Sequence, residues 1–141
     1  MEVWCRGIRG ATTTEENTRE AILEATRELL QLMIGCNDID VDQVAAATFT
    51  TTPDLNAEYP ALAARQLGWH DAALLCGHEM NVPDGLAKCI RILILVNTEK
   101  GAKEINHVYI KDAKNLRPPR EIADQYGAHC SETSEGQAGE S

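Results

Sequence analysis

The stretch CGHEMNVPDGLAKCIR, Cys76 to Arg91, sets a glutamate and an arginine on either side of a turn. Glu79 follows an apolar run that starts at Ala72, and Arg91 sits inside a second run, Cys89 to Val96, whose other members are nearly all aliphatic. A guanidinium does not lose its charge, so in an apolar strand it requires a carboxylate or an anionic ligand to offset desolvation. Glu79 could supply that partner as one half of a structural ion pair. It could equally be a general acid, an acceptor for a ligand's hydrogen bond, or a solvated carboxylate at a strand end. The two residues alone leave these alternatives side by side.

The other chemistry-bearing residues narrow the field. Cys76, His78 and Cys89 raise the question of a metal, but their spacing matches no common zinc pattern, and cysteines in apolar runs are more often small buried hydrophobes. The glycines of Gly7-Ile8-Arg9-Gly10 form neither a dinucleotide fingerprint nor a phosphate loop with its lysine. No serine or cysteine can be assembled with a histidine and an acid into a nucleophilic triad. Tyr109, in the short run HVYI, carries a hydroxyl that needs a partner if buried. The inventory is therefore arginines, one well-placed glutamate and a tyrosine, without an evident nucleophile or cofactor motif.

The chain has 141 residues, the size of one domain with one hydrophobic core. Its 13 basic and 22 acidic residues give a net charge of −9, which argues against nucleic acid or an anionic membrane as partner. An anionic small molecule stays possible where arginines cluster. The five cysteines are scattered and contain no C-x-x-C, so the expectation is a reducing cytoplasm rather than a disulfide framework or a zinc knuckle. The first residues, MEVWCRGIRGATT, lack the apolar core of a signal peptide, and no run is long enough to span a bilayer, so an intracellular, soluble protein is expected.

Positioning these residues falls to a mixed set of elements. Val3 to Ile8 reads as an opening strand with Arg9 at its mouth. Thr13 and Glu16 have capping-box spacing, and Ile22, Ala25, Leu29, Leu32 and Met33 recur at helical intervals up to Gly35, predicting a helix over about 15–34. Asp40 and Gln43 offer a second capping box before a strand from Ala45 to Thr51. Pro60 opens a short helix that Gly68 stops. Ala72 to Cys76 is a strand; Asn81 to Gly85 is turn chemistry; Ile90 to Val96 reads as a strand too apolar to face water on either side. Lys100 to Glu104 is an exposed loop, His107 to Ile110 a last short strand, and Leu116 to Pro119 the end of the ordered part. Residues 1–120 then make a single domain, and 121–141, rich in Gly, Ser, Glu and Gln, a disordered tail. About five strands with two or three helices on one face define an α+β fold with one mixed sheet. Its uncovered apolar face predicts an oligomer.

Taken in order, RGIRGATT (Arg6 to Thr13), TTPDLNAEYPALAARQLGW (Thr51 to Trp69), CGHEM (Cys76 to Met80), GLAKCIR (Gly85 to Arg91), HVY (His107 to Tyr109) and LRP (Leu116 to Pro118) resemble the monofunctional chorismate mutases of the AroH class over about residues 3 to 119. The resemblance implies a cytoplasmic homotrimer of pseudo-α/β-barrel shape that converts chorismate to prephenate, toward phenylalanine and tyrosine, in clefts between subunits and without metal or cofactor. Carried over position by position, Arg91 lies beside the breaking ether bond, Arg9 and Tyr109 bind substrate carboxylate, and Glu79 and Cys76 meet the ring hydroxyl. Tyr59 and Leu75 line the pocket, Arg65 lies near its entrance, and Leu116 and Arg117 belong to the segment that closes over the ligand. Leu62 departs from the lysine that a relative carries at the pocket rim. The alternative is a trimeric metabolite binder or imine deaminase of the YjgF type, which shares the architecture but not these motifs.

Overall fold

In the computed structural model, which describes residues 2–116, the elements follow as β1 (Trp4–Thr13), α1 (Arg19–Gly35), β2 (Val44–Thr51), α2 (Ala61–Gln66), β3 (Ala73–His78), β4 (Cys89–Thr98) and β5 (Val108–Tyr109). Short 3-10 turns occupy Val41–Gln43, Ala102–Glu104 and Lys111–Asn115. The strands form one mixed sheet in the order β3-β2-β4-β1-β5. Central β4 runs antiparallel to both β1 and β2, whereas β3 joins β2 and β5 joins β1 in parallel. This is the α+β sheet that the sequence predicts. Arg117 and the tail after residue 120 lie outside the described residues.

Helix α1 begins later than its sequence suggests. Thr13 stays in β1, paired with Cys89, and its hydroxyl accepts the Asp112 N–H at 3.3 Å. The cap passes instead to Thr18, whose Oγ1 accepts the Ala21 N–H at 3.1 Å and satisfies one of the orphan donors of the first turn. From there Ile22, Ala25, Leu29, Leu30 and Met33 bury one stripe of the helix, each larger side chain contributing about 1.5–3 kcal/mol. Gly10 lets the helix come close, since a Cβ there would lie 2.4 Å from Met33 Sδ. The Asp40 and Gln43 capping box forms as predicted, around the 3-10 turn Val41–Gln43. Pro60 caps α2, and Gly68, at φ 92°, turns the chain after it.

Strand β4 departs from expectation in a way that matters. Ile90, Ile92, Ile94 and Val96 are buried in the same core as the α1 stripe, but Arg91, Leu93, Leu95 and Asn97 alternate onto the other face, where Leu93 is 40% and Leu95 37% exposed. The run is apolar on both sides, yet within one chain only one side is covered, because the core that α1 and α2 complete lies on one side of the sheet. No helix among the described residues is long and apolar enough to cross a membrane.

Candidate active site

Partnered residues in adjacent strands share a face of the sheet, so the register defines what the open face carries. One row across it reads Tyr109, Ala11, Arg91, Thr50 and Gly77. The next reads Arg9, Leu93, Thr48 and Leu75. Arg9 and Arg91 are thus diagonal neighbours across β1 and β4, about 7–8 Å apart at the backbone, with Tyr109 on the far side of Ala11. The Arg9 backbone is held in turn by His107, whose Nδ1 accepts its N–H at 3.0 Å. Three residues distant in sequence, Arg9, Arg91 and Tyr109, therefore share one patch.

Glu79 joins them from the strand end. Its N–H donates to Thr51 O at 2.8 Å, extending the β2–β3 ladder by one bond. Its Oε2 accepts from Thr50 Oγ1 at 2.5 Å and lies 3.4 Å from Arg91 Nη1. The Arg91 side chain is still 45% exposed and that of Glu79 24%. A pair so accessible adds about 0–1 kcal/mol to stability, which is too little to explain an arginine in an aliphatic strand. Its charge remains available to a ligand.

A cleft of about 490 Å³ lies over this pair, with Leu116, Cys89 and the 80–87 turn among its walls. The turn is built as its sequence suggests: Gly85 N–H donates to Val82 O at 3.0 Å, and Asp84 at φ 63° takes the left-handed position of a type II turn after Pro83. Sequence reasoning missed what anchors it. The Asp54 Oδ2 accepts the Lys88 N–H at 2.9 Å, and Thr52 Oγ1 accepts the Cys89 N–H at 2.9 Å while donating to Asp54 Oδ1. The TTPD segment, read locally as a strand end and otherwise only through the family resemblance, thereby ties the far end of the turn to the end of β2. Partial burial pulls the Asp54 carboxyl upward, but the Thr52 hydroxyl, the backbone N–H groups of Lys88 and Asp54, and the Lys88 charge together hold it below its usual value. Burial pushes the Cys89 thiol up to about 11, against the pull of Arg91 and with help from Glu79 and Asp54.

The remaining candidates lie elsewhere in the chain. Cys76 pairs with buried Phe49 and so belongs to the core side of the sheet, away from the Glu79 carboxylate. Burial raises its thiol, tempered by the Ala61 backbone N–H and the Arg65 charge. Cys76 and Tyr59 line a second hollow of about 430 Å³. Tyr59 is 72% exposed; its backbone N–H donates to Glu58 Oε2 at 2.9 Å, and Glu58 is tied to Arg19 of α1 at 2.8 Å. Arg65 is exposed on α2, and Leu75, 68% exposed, faces outward beside Thr48. Among the described residues, no three of His, Cys, Asp and Glu gather as a metal ion would need.

A mixed sheet whose open face gathers two arginines and a tyrosine, with a carboxylate at the rim, places the chain by more than its shape. The sequence matches the family described as chorismate mutase type I over residues 5–120, and the chain belongs to that family. It is 49% identical over 119 residues to the chorismate mutase AroH of Thermus thermophilus, covering 84% of this chain and 98% of that protein. It is 44% identical over 114 residues to the chorismate mutase AroH of Bacillus subtilis strain 168, covering 80% and 90%. Its structure is similar to that of a chorismate mutase from Clostridium thermocellum, with a TM-score of 0.77, 46% identity, and coverage of 78% of this chain and 98% of that one. None of these matches supports the YjgF-type alternative.

Proposed function

We propose that this member of the chorismate mutase type I family converts chorismate to prephenate in the cytoplasm, within phenylalanine and tyrosine biosynthesis, using the Arg9, Glu79, Arg91 and Tyr109 cluster. The observation that carries the reading is the half-exposed Arg91 guanidinium, flanked on one face by Arg9 and Tyr109 and set 3.4 Å from Glu79. An intramolecular rearrangement needs no nucleophile, which accords with a site built of fixed charges. The substrate is a flexible dianion. Catalysis must fold its enolpyruvyl arm over the ring and stabilise charge growing on the ether oxygen as that bond breaks.

Arg91 takes the second task. A preorganised donor at a developing oxyanion is worth about 3 kcal/mol or more, and the guanidinium is aimed from a rigid central strand. Arg9 and Tyr109 clamp carboxylate, for which a planar fork is suited. Glu79 accepts the ring hydroxyl's hydrogen bond, and Leu116 covers the cleft.

Tyr59, Leu75, Cys76 and Arg65 then complete the pocket from a neighbouring subunit of a homotrimer. Two facts support this arrangement: Tyr59 and Leu75 are largely exposed and outside the Glu79 cleft, and the open face leaves Leu75, Leu93 and Leu95 uncovered in one chain. Exposed aliphatic side chains grouped on a sheet are the mark of an interface. The direct test follows chorismate by ultraviolet absorbance with purified, chelator-treated protein. Disappearance of chorismate with appearance of prephenate is expected; unchanged chorismate overturns the reading.

A further inference from the structure

The Glu79 carboxylate is gripped on one side only. Oε2 takes both the Thr50 hydroxyl at 2.5 Å and the nearby Arg91 guanidinium, whereas Oε1 accepts no hydrogen bond among the described residues. Thr50 is placed for this by register: it pairs with Arg91 on one side and Gly77 on the other. Gly77 adds no side chain to the row, and a Cβ there would meet nothing within 4 Å, so no side chain crowds this end of the row. The glutamate's backbone is pinned to the next residue of the same strand, Thr51.

A carboxylate and a guanidinium this close have an alternative arrangement, the parallel two-bond fork. In that fork both carboxylate oxygens would be spent on Arg91, and the arginine's donors would be turned from the substrate toward the glutamate. By fixing the direction in which the carboxylate points, the Thr50 hydroxyl bond to Oε2 disfavours that collapse. It leaves Oε1 for a ligand hydroxyl and the outer guanidinium N–H groups for a developing anion.

Building on the functional reading above, we propose that Thr50 is a positioning residue, which holds Glu79 by Oε2 and so keeps Arg91 from being neutralised by its own carboxylate neighbour. The test is a set of five variants: Thr50→Val, which keeps the branched shape and removes the hydroxyl, Thr50→Ser, which keeps the hydroxyl, Thr50→Ala, Glu79→Gln, and Thr50→Val combined with Glu79→Gln. Thr50→Val is expected to lower kcat about tenfold with KM changed less than about twofold, and Thr50→Ser to retain most of the wild-type kcat. In the Glu79→Gln background the valine should add almost no further loss, since the group that Thr50 acts through is already altered. Thr50→Ala, which removes the hydroxyl without the valine methyl, should match Thr50→Val; melting temperatures of all variants check the fold.

Full kcat in Thr50→Val overturns the assignment. So does an equal loss from the valine with and without Glu79→Gln, which would mean a merely structural role or a separate contact. Wild-type protein that leaves chorismate unchanged would overturn instead the functional reading on which this rests, so the two failures are told apart by the wild-type rate.

Discussion

Arg91 and Glu79 touch, yet their contact is a poor account of why either is there. An ion pair at 3.4 Å with one side chain nearly half exposed is screened by water, and a leucine in place of the arginine would suit the strand as well. Cys89, two positions earlier, is the opposite case: it is 2% exposed, and its thiol is raised from 9.0 to about 11. A raised folded-state value means that its contribution to stability is complete below about 9 and is lost as pH rises toward about 11, because the unfolded chain releases its proton first. Denaturant unfolding at stepped alkaline pH should therefore show a decline over that window, on the order of 2 kcal/mol, that Cys89→Ala reduces relative to its own neutral-pH stability. An equal decline in both proteins would assign it to other groups.

Among the elements, the turn between β3 and β4 shows what was legible in sequence and what was not. Asn81 to Gly85 announces a turn through Pro83 and Gly85, local chemistry that any context would read alike. Its anchors do not announce themselves, because the contacts from Thr52 and Asp54 to Lys88 and Cys89 join segments more than thirty residues apart. The same holds for α1, whose stripe is a local period, while its start was decided by β1 keeping Thr13 in the ladder. Arg9 and Tyr109 were assigned through family resemblance, since nothing local links them to Arg91; only the sheet register does. Removing the Asp54 anchor tests the element directly. Asp54→Ala should lower stability by roughly 0.5–1.5 kcal/mol and reduce kcat/KM as the turn loosens. Because the Asp54 carboxyl is held below 3.8, its contribution is present above that pH and lost as pH falls further. A variant with wild-type acid sensitivity and full activity would remove Asp54 from the account.

The whole molecule is defined by its two unlike faces. One is closed by α1 and α2. The other carries Leu93 and Leu95 half-covered, with Leu75 more exposed still, and also carries the arginines of the proposed site. The apolar content of β4 was legible as a strand buried on both sides, and the shortage of helices to cover the sheet predicted an oligomer; which face a single chain leaves open is decided by the packing of Ile90, Ile92 and Ile94 into the α1 core. If that face is covered by a second and third copy, Leu95→Lys should convert a trimer to smaller species in sedimentation equilibrium and lower activity with it, since the Tyr59 side of the pocket would be lost. A variant that stays trimeric and active would place the interface elsewhere. The net charge of −9 repels a dianion at long range, so with the proposed site capture would rest on the local arginines and should weaken with salt.

The most direct measurement is the turnover of Arg91 variants whose fold is checked by circular dichroism and melting. Arg91→Met, neutral and of similar length, should lower kcat by about 10²–10³ or more with stability nearly unchanged. Arg91→Lys should also be strongly impaired, because a point charge on a flexible stem does not reproduce the guanidinium fork. Near-wild-type kcat in Arg91→Met would contradict the claim that this charge, aimed from β4 at the breaking ether bond, drives the reaction.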